Sequence, residues 1–134
     1  MTQQLPAATG SFGDKPNLTF PDAPPPPELT VEVLQAGQGA VVESGQTIDV
    51  DYLGQVWGGR IFDNSYDRGS SIQFGIGIGQ VIAGWDSGLV GLPVGTRALL
   101  AIPPHEGYGP YGNPRAGIGG EDTLVFVVDI KGAA

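Results

Sequence analysis

Few residues in this chain could do chemistry of the bond-breaking kind. There is no cysteine, so a thiolate nucleophile, a disulfide framework and a thiolate metal site are all excluded. The one histidine, His105, stands in Pro103-Pro104-His105-Glu106-Gly107, a loop context with no second histidine beside it for metal ligation. It reads as an exposed loop residue. No serine occupies a Gly-x-Ser-x-Gly turn, so a Ser-His-Asp triad has no positive support. Asp49 and Asp51 are two apart on a strand and share its face; a solvated strand face accounts for them, and acid-base catalysis is not assigned there. The stretch from Gly75 to Gln80 superficially resembles a phosphate-cradling loop. It fails because Gln80 stands where the last glycine of that pattern belongs, no Lys-Ser or Lys-Thr follows, and no parallel βαβ unit is evident. What remains is a set of aromatic and aliphatic residues with one carboxylate: Tyr52, Phe62, Asp63, Val81, Ile82, Trp85, Tyr108 and Phe126. Taken singly, each apolar member reads as core packing.

The elements that must position this set follow from periodicity. Leu29, Val31 and Val33 alternate with polar residues, as do Ile48, Val50 and Tyr52, which predicts half-buried strands. Further strands are expected over Ile72–Ile76, Thr96–Ile102 and Thr123–Ile130, with turns at Ser44-Gly45 and Gly58-Gly59. One helix is expected, from Val81 to about Leu89, because Val81, Trp85 and Leu89 fall at i, i+4 and i+8. Gly84, Gly88 and Gly91 cost that helix about 1 kcal/mol each relative to alanine. Close approach to the sheet is the expected compensation. The predicted class is α+β, a twisted antiparallel β-sheet wrapped around one short α-helix, with a ligand-sized concavity.

The 134 residues suit one core. Residues 1–28 carry Pro6, Pro16, Pro21 and the run Pro24–Pro27 with few apolar residues, and read as a flexible, proline-rich extension ahead of a domain at 29–134. Within it, Leu18 and Phe20 alternate with polar residues, a weak strand pattern that competes with an unstructured lead-in. The formal charge of −8 repels phosphate backbones and anionic lipid, so nucleic acid and membrane are not expected partners. No apolar run reaches the about 20 residues of a membrane span, and Met1-Thr2-Gln3-Gln4 lacks a basic flank followed by an apolar core, so a cytoplasmic location is expected; a monomer is the expected state.

Four ordered stretches carry a specific resemblance. "GQVWGGRIFDNSYD" (54–67) resembles a tyrosine-strand, hairpin and "FDSS" segment, and "GQVIAGWDSGLVGLPVG" (79–95) resembles "VIxGWxxGLxxMxxG". "IPPHEGYG" (102–109) is similar to "IPxxxxYG", and "DTLVFVVDI" (122–130) to "xTLVFxVEL". These are motifs of the macrolide-binding FKBP-type peptidyl-prolyl cis-trans isomerases. The resemblance implies that family's fold and a prolyl pocket lined by Tyr52, Phe62, Asp63, Val81, Ile82, Trp85, Tyr108, Ile118 and Phe126, with Trp85 as floor and Ile72 at the edge. It implies Asp63 and Tyr108 as catalytic groups, no cofactor and no metal. X-Pro-containing polypeptides are the implied substrates, and macrolides such as tacrolimus or rapamycin further ligands. Ile72 stands where the family often has an aromatic and Asn113 where a histidine is common; both departures bear on macrolide binding. A catalytically weak module of the same fold, gripping a Pro-containing partner segment, is the alternative.

Overall fold

The computed structural model of the chain describes residues 5–134. Met1–Gln4, which bore on the question of a leader, lie outside the described residues. Among the described residues, eight strands and one α-helix follow in order: β1 (Ala7–Ala8), β2 (Leu18–Thr19), β3 (Thr30–Gln35), β4 (Thr47–Val56), β5 (Ile61–Asn64), β6 (Ile72–Gly75), α1 (Ala83–Leu89), β7 (Arg97–Ile102) and β8 (Leu124–Ala133). All pairings are antiparallel, and the main sheet runs β3-β7-β8-β4-β5, with β6 also on β4. The α+β class and the wrapped sheet are as the sequence predicts.

The long strands β4 and β8 form the spine, paired from Ile48↔Ala133 to Val56↔Leu124. The other edge of β4 is shared: β6 pairs its first half, Thr47↔Gly75 to Val50↔Ile72, and β5 its second, Leu53↔Asn64 to Gln55↔Ile61. Between them the turn 65–71 swings away, and Ser65 supplies what the ladder lacks there. Its N–H donates to the Tyr52 carbonyl at 2.9 Å, while its Oγ accepts from the Tyr52 N–H at 2.9 Å. Strand β5 has no alternation of its own, which is why periodicity passes over it. Strand β3 is a sheet edge, and Val31 and Val33 are substantially exposed rather than half-buried.

Helix α1 starts at Ala83, two residues later than the apolar stripe suggests, because Ile82 is extended (φ −57°, ψ 149°) and leaves Val81 and Ile82 outside the first turn. The helix lies on β7 at a distance that only glycine permits. A Cβ on Gly84 would meet Ile102 at 2.7 Å, and one on Gly88 would meet Leu100 at 2.8 Å. Both partners are fully buried, so neither can give way.

The proline-rich segment departs from the expectation of a flexible extension. From Leu5 onward it is laid across the outer face of the sheet, where β1 pairs β2 and Leu5, Ala8, Leu18 and Phe20 pack on Leu99, Val125 and Val127. Phe20 meets Trp57 edge-on at 5.5 Å, and the Trp57 indole N–H donates to the Ala23 carbonyl at 3.2 Å. The physical reason is that β7 is buried at every position and β8 at its first seven, so both faces need cover. A buried ion pair fixes the arm's position. Arg97 donates to Asp129 at 2.7 and 2.9 Å, to the Thr9 carbonyl at 3.2 Å and to the Asp14 carbonyl. Asp129 also accepts from the Gly13 N–H at 2.9 Å and the Tyr66 hydroxyl at 2.7 Å. Burial works against the Arg97 charge, but the Asp129 hydrogen bonds prevail and its pKa stands above the usual value. Burial, then the Asp129 hydrogen bond, raises the Tyr66 pKa well beyond the usual tyrosine value.

Two outcomes follow from this packing. Gly84→Ala, although alanine favours helix by about 1 kcal/mol, should lower stability by about 1–3 kcal/mol in denaturant titration, because the added methyl overpacks the contact with Ile102. Because Tyr66 has a folded pKa above its unfolded value, its contribution is intact below about pH 10 and declines as pH rises further. Tyr66→Phe removes a donor from the buried Asp129 carboxylate and should be less stable than wild type at neutral pH. The gap should close above about pH 10, by up to about 1.4 kcal/mol per pH unit, in unfolding curves measured across that range.

Candidate functional site

The glycine contacts of α1 leave Trp85, one residue on from Gly84, facing the space between helix and sheet. There it meets three rings: Tyr52 edge-on at 5.4 Å, Phe126 edge-on at 5.1 Å and Phe74 tilted at 5.3 Å. Phe62 stands edge-on to Phe126 at 5.6 Å. The close approach of Phe62 and Phe126 over β4 requires a glycine beneath them, since a Cβ on Gly54 would lie 2.7 Å from both. Trp85 is 4 % exposed, and its indole N–H meets no acceptor among the described residues.

Above these rings opens a cavity of about 460 Å³, of the size that takes a small ligand or a short peptide segment. Phe62, Ile72, Val81, Ile82, Trp85 and Phe126 give it apolar walls; Tyr52, Asp63, Gln80 and Tyr108 bring polar groups to its rim. The structure thus brings together every residue expected at the site except Ile118. That residue is buried in the main core cluster and is not on the cavity wall. Its N–H and carbonyl instead bond the Asn113 backbone at 3.0 and 2.8 Å, closing the glycine-rich loop on itself. His105 is exposed beside Glu28 and Glu106, away from the cavity.

The polar rim is a closed triangle. The Tyr52 hydroxyl donates to Asp63 Oδ2, Arg68 Nη1 donates to Asp63 Oδ1 at 2.5 Å, and Arg68 Nη2 donates to the Tyr52 oxygen at 3.0 Å. Burial, reinforced by the Asp63 carboxylate, raises the Tyr52 pKa, so the phenol keeps its proton and serves as donor. The hydrogen bonds to Tyr52 and Asp63 raise that of Arg68. Asp63 accepts one donor on each carboxylate oxygen, Tyr52 on Oδ2 and Arg68 on Oδ1, which fixes its orientation at the rim.

Asp86 and Gln80 are site-building residues that periodicity did not single out. Gly77 and Gly79 donate their N–H groups to Asp86 Oδ1 and Oδ2 at 2.7 and 3.0 Å, and Gly75 donates to Gln80 Oε1 at 2.8 Å. The loop that superficially resembles a phosphate cradle does wrap an anion, but the anion is the protein's own carboxylate. The signal was an aspartate in the first helical turn, directly after Trp85, where the helix favours negative charge.

A wrapped antiparallel sheet holding an apolar, ring-lined cavity against one short helix defines a class of pocketed α+β proteins. Residues 39–131 match the family model of the FKBP-type peptidyl-prolyl cis-trans isomerases. The chain is 42% identical over 118 residues to the FK506-binding protein of Streptomyces anulatus, covering 87% of this chain and 95% of that one. It is 43% identical over 103 residues to FK506-binding protein 1 of Saccharomyces cerevisiae, covering 76% and 90%. Its fold superposes on the crystal structure of AtFKBP13 with a TM-score of 0.72 at 35% identity, covering 82% of this chain and 96% of that one. The chain belongs to the FKBP-type peptidyl-prolyl cis-trans isomerase family, whose activity is the acceleration of rotation about X-Pro peptide bonds.

Because Asp86 alone holds the Gly77 and Gly79 amides, Asp86→Ala should speed their hydrogen exchange by about tenfold or more while the β4 and β8 amides stay protected. Peptide affinity should fall with it, as Gly79 and Gln80 form part of the rim.

Proposed function

We propose that the cavity performs its isomerisation without proton transfer, by stabilising the twisted X-Pro amide over the planar one. The observation that carries this reading is the cavity itself: five apolar side chains around a buried indole, with its one carboxylate already engaged by two donors. A planar amide is held by resonance behind a barrier of about 18–20 kcal/mol, and its twisted state has less charge separation. A dry apolar surrounding therefore favours the twisted state relative to water. A thousandfold acceleration needs only about 4 kcal/mol of such differential stabilisation. Trp85, Val81, Ile82 and Phe126 hold the proline ring. The Ile82 N–H, at the extended residue before α1, and the Tyr108 hydroxyl at the exposed rim orient the flanking carbonyls. Asp63 sets the polar edge near the twisting carbonyl, fixed there by Tyr52 and Arg68.

The substrates proposed are X-Pro-containing polypeptides, with macrolides of the tacrolimus and rapamycin kind competing for the same walls. Ile72, an aliphatic where an aromatic wall would give more contact, supports a weaker hold on macrolides. A cytoplasmic monomer is part of the proposal; the net charge of −8 supports the monomer by keeping copies apart, and sedimentation tests it. In a protease-coupled assay on an Ala-Leu-Pro-Phe peptide, Asp63→Ala and Tyr108→Phe should each lower kcat/KM by about tenfold, with unfolding midpoints close to wild type. Full activity in a folded Asp63→Ala protein would remove Asp63 from the mechanism. Tight peptide binding by a folded wild type that gives no acceleration would identify a binding module instead.

A further inference from the structure

The turn that carries Arg68 to Asp63 and Tyr52 is held from its far side by the N-terminal arm. Lys15 Nζ donates to both carboxylate oxygens of Asp67, at 2.9 and 3.0 Å. Asp67 in turn closes the turn on itself, its N–H donating to Asn64 Oδ1 at 2.8 Å and its Oδ2 accepting from Asn64 Nδ2 at 3.2 Å. The Lys15 hydrogen bond, then that of Asn64, holds the Asp67 pKa below the usual carboxylate value. Tyr66, between them, places its hydroxyl on the Asp129 oxygen that also accepts the Gly13 N–H and Arg97 Nη2. Residues 64–67 are thus anchored to the arm, or to a buried node that the arm completes. Their immediate neighbours on either side are Asp63 and Arg68.

We propose that the arm is a positioning element of the isomerase site, with Lys15 and Tyr66 as positioning residues. Docking of the arm fixes Asn64–Asp67 and thereby keeps Arg68 on Asp63 and Tyr52. The exposed Lys15–Asp67 pair contributes little alone. The weight falls on the buried Tyr66–Asp129–Arg97 node, whose remaining donors are satisfied by the arm's own carbonyls. The inference rests on the catalytic reading of Asp63 only for its effect on rate; the geometric coupling stands apart from it.

The test uses the full chain with Leu18→Asp, which sets a charge on the arm's apolar underside against Leu99, Val125 and Val127 and touches nothing in the cavity. Two quantities are read: kcat/KM for an X-Pro peptide, and the Arg68 Nε–Hε resonance with its solvent exchange rate. Coupling through the turn predicts a fall in kcat/KM of about three- to tenfold. It also predicts a shifted, faster-exchanging Arg68 signal, while the Trp85 indole signal keeps its wild-type position. Ile130→Val, a core destabilisation on the sheet's inner side, should move neither quantity. If Leu18→Asp does not fold, Tyr66→Phe, which takes the turn's hydroxyl off Asp129 and leaves the arm's apolar contacts in place, decides the matter by the same Arg68 shift. Unchanged kcat/KM and an unchanged Arg68 signal in a protein whose arm amides exchange freely would overturn the proposal. If the wild type itself fails to accelerate rotation, the mechanism above fails, and the Arg68 resonance still decides whether the arm sets the turn.

Discussion

The contact between α1 and β7 is the constraint on which the site depends. Two glycines four apart let a seven-residue helix rest on Ile102 and Leu100 with no side chain between. Helix propensity is sacrificed there, and packing density is what replaces it. The consequence is directional: with Gly84 and Gly88 against the sheet, Trp85 faces the open space beside it and becomes a floor. Any residue larger than glycine would lift the helix and tilt that floor. Gly54 applies the same rule on β4, where a missing Cβ admits Phe62 and Phe126 to the wall.

The sheet is served on both sides by different means. Its inner face is filled by aliphatic and aromatic packing around the helix. Its outer face holds a small apolar cluster next to a buried Arg97–Asp129 pair, and the arm completes both. A buried charge without full hydrogen bonding is strongly destabilising, so the arm's carbonyls at Thr9 and Asp14 are as much a part of Arg97's environment as Asp129 is. This gives the arm one seat on the sheet, which apolar contact alone would leave loosely specified.

Strands β3, β4, β6, β7 and β8, the helix and most of the cavity wall were legible because each has a local signature. Alternation marked β4 with Tyr52, the i, i+4 stripe marked Trp85 and Leu89, and four ordered motifs tied Asp63, Trp85, Tyr108 and Phe126 together. The arm was not legible as a docked element, since its prolines and few apolar residues have the composition of a linker. The clue lay elsewhere, in "RALLAI" and "LVFVVDI", which are apolar without alternation and so demand cover on both faces. Arg97 opens the first run and Asp129 stands one residue before the end of the second; neither gave a sign of being a buried pair, because pairing across strands depends on register. Ile118 was expected on the wall only from the resemblance, and it lies after a loop whose path is set by 3₁₀ turns at Gly109–Tyr111 and Pro114–Ala116, which no periodicity marks.

The central claim is that the cavity lowers a rotational barrier through apolar surroundings and orientation, with no proton in flight. Exchange NMR on an Ala-Leu-Pro-Phe peptide with the wild-type chain, run in light and in heavy water, tests it most directly. The account predicts acceleration of cis-trans exchange with the same catalysed rate in both solvents. A catalysed rate clearly slower in heavy water would show proton transfer in the limiting step and contradict it.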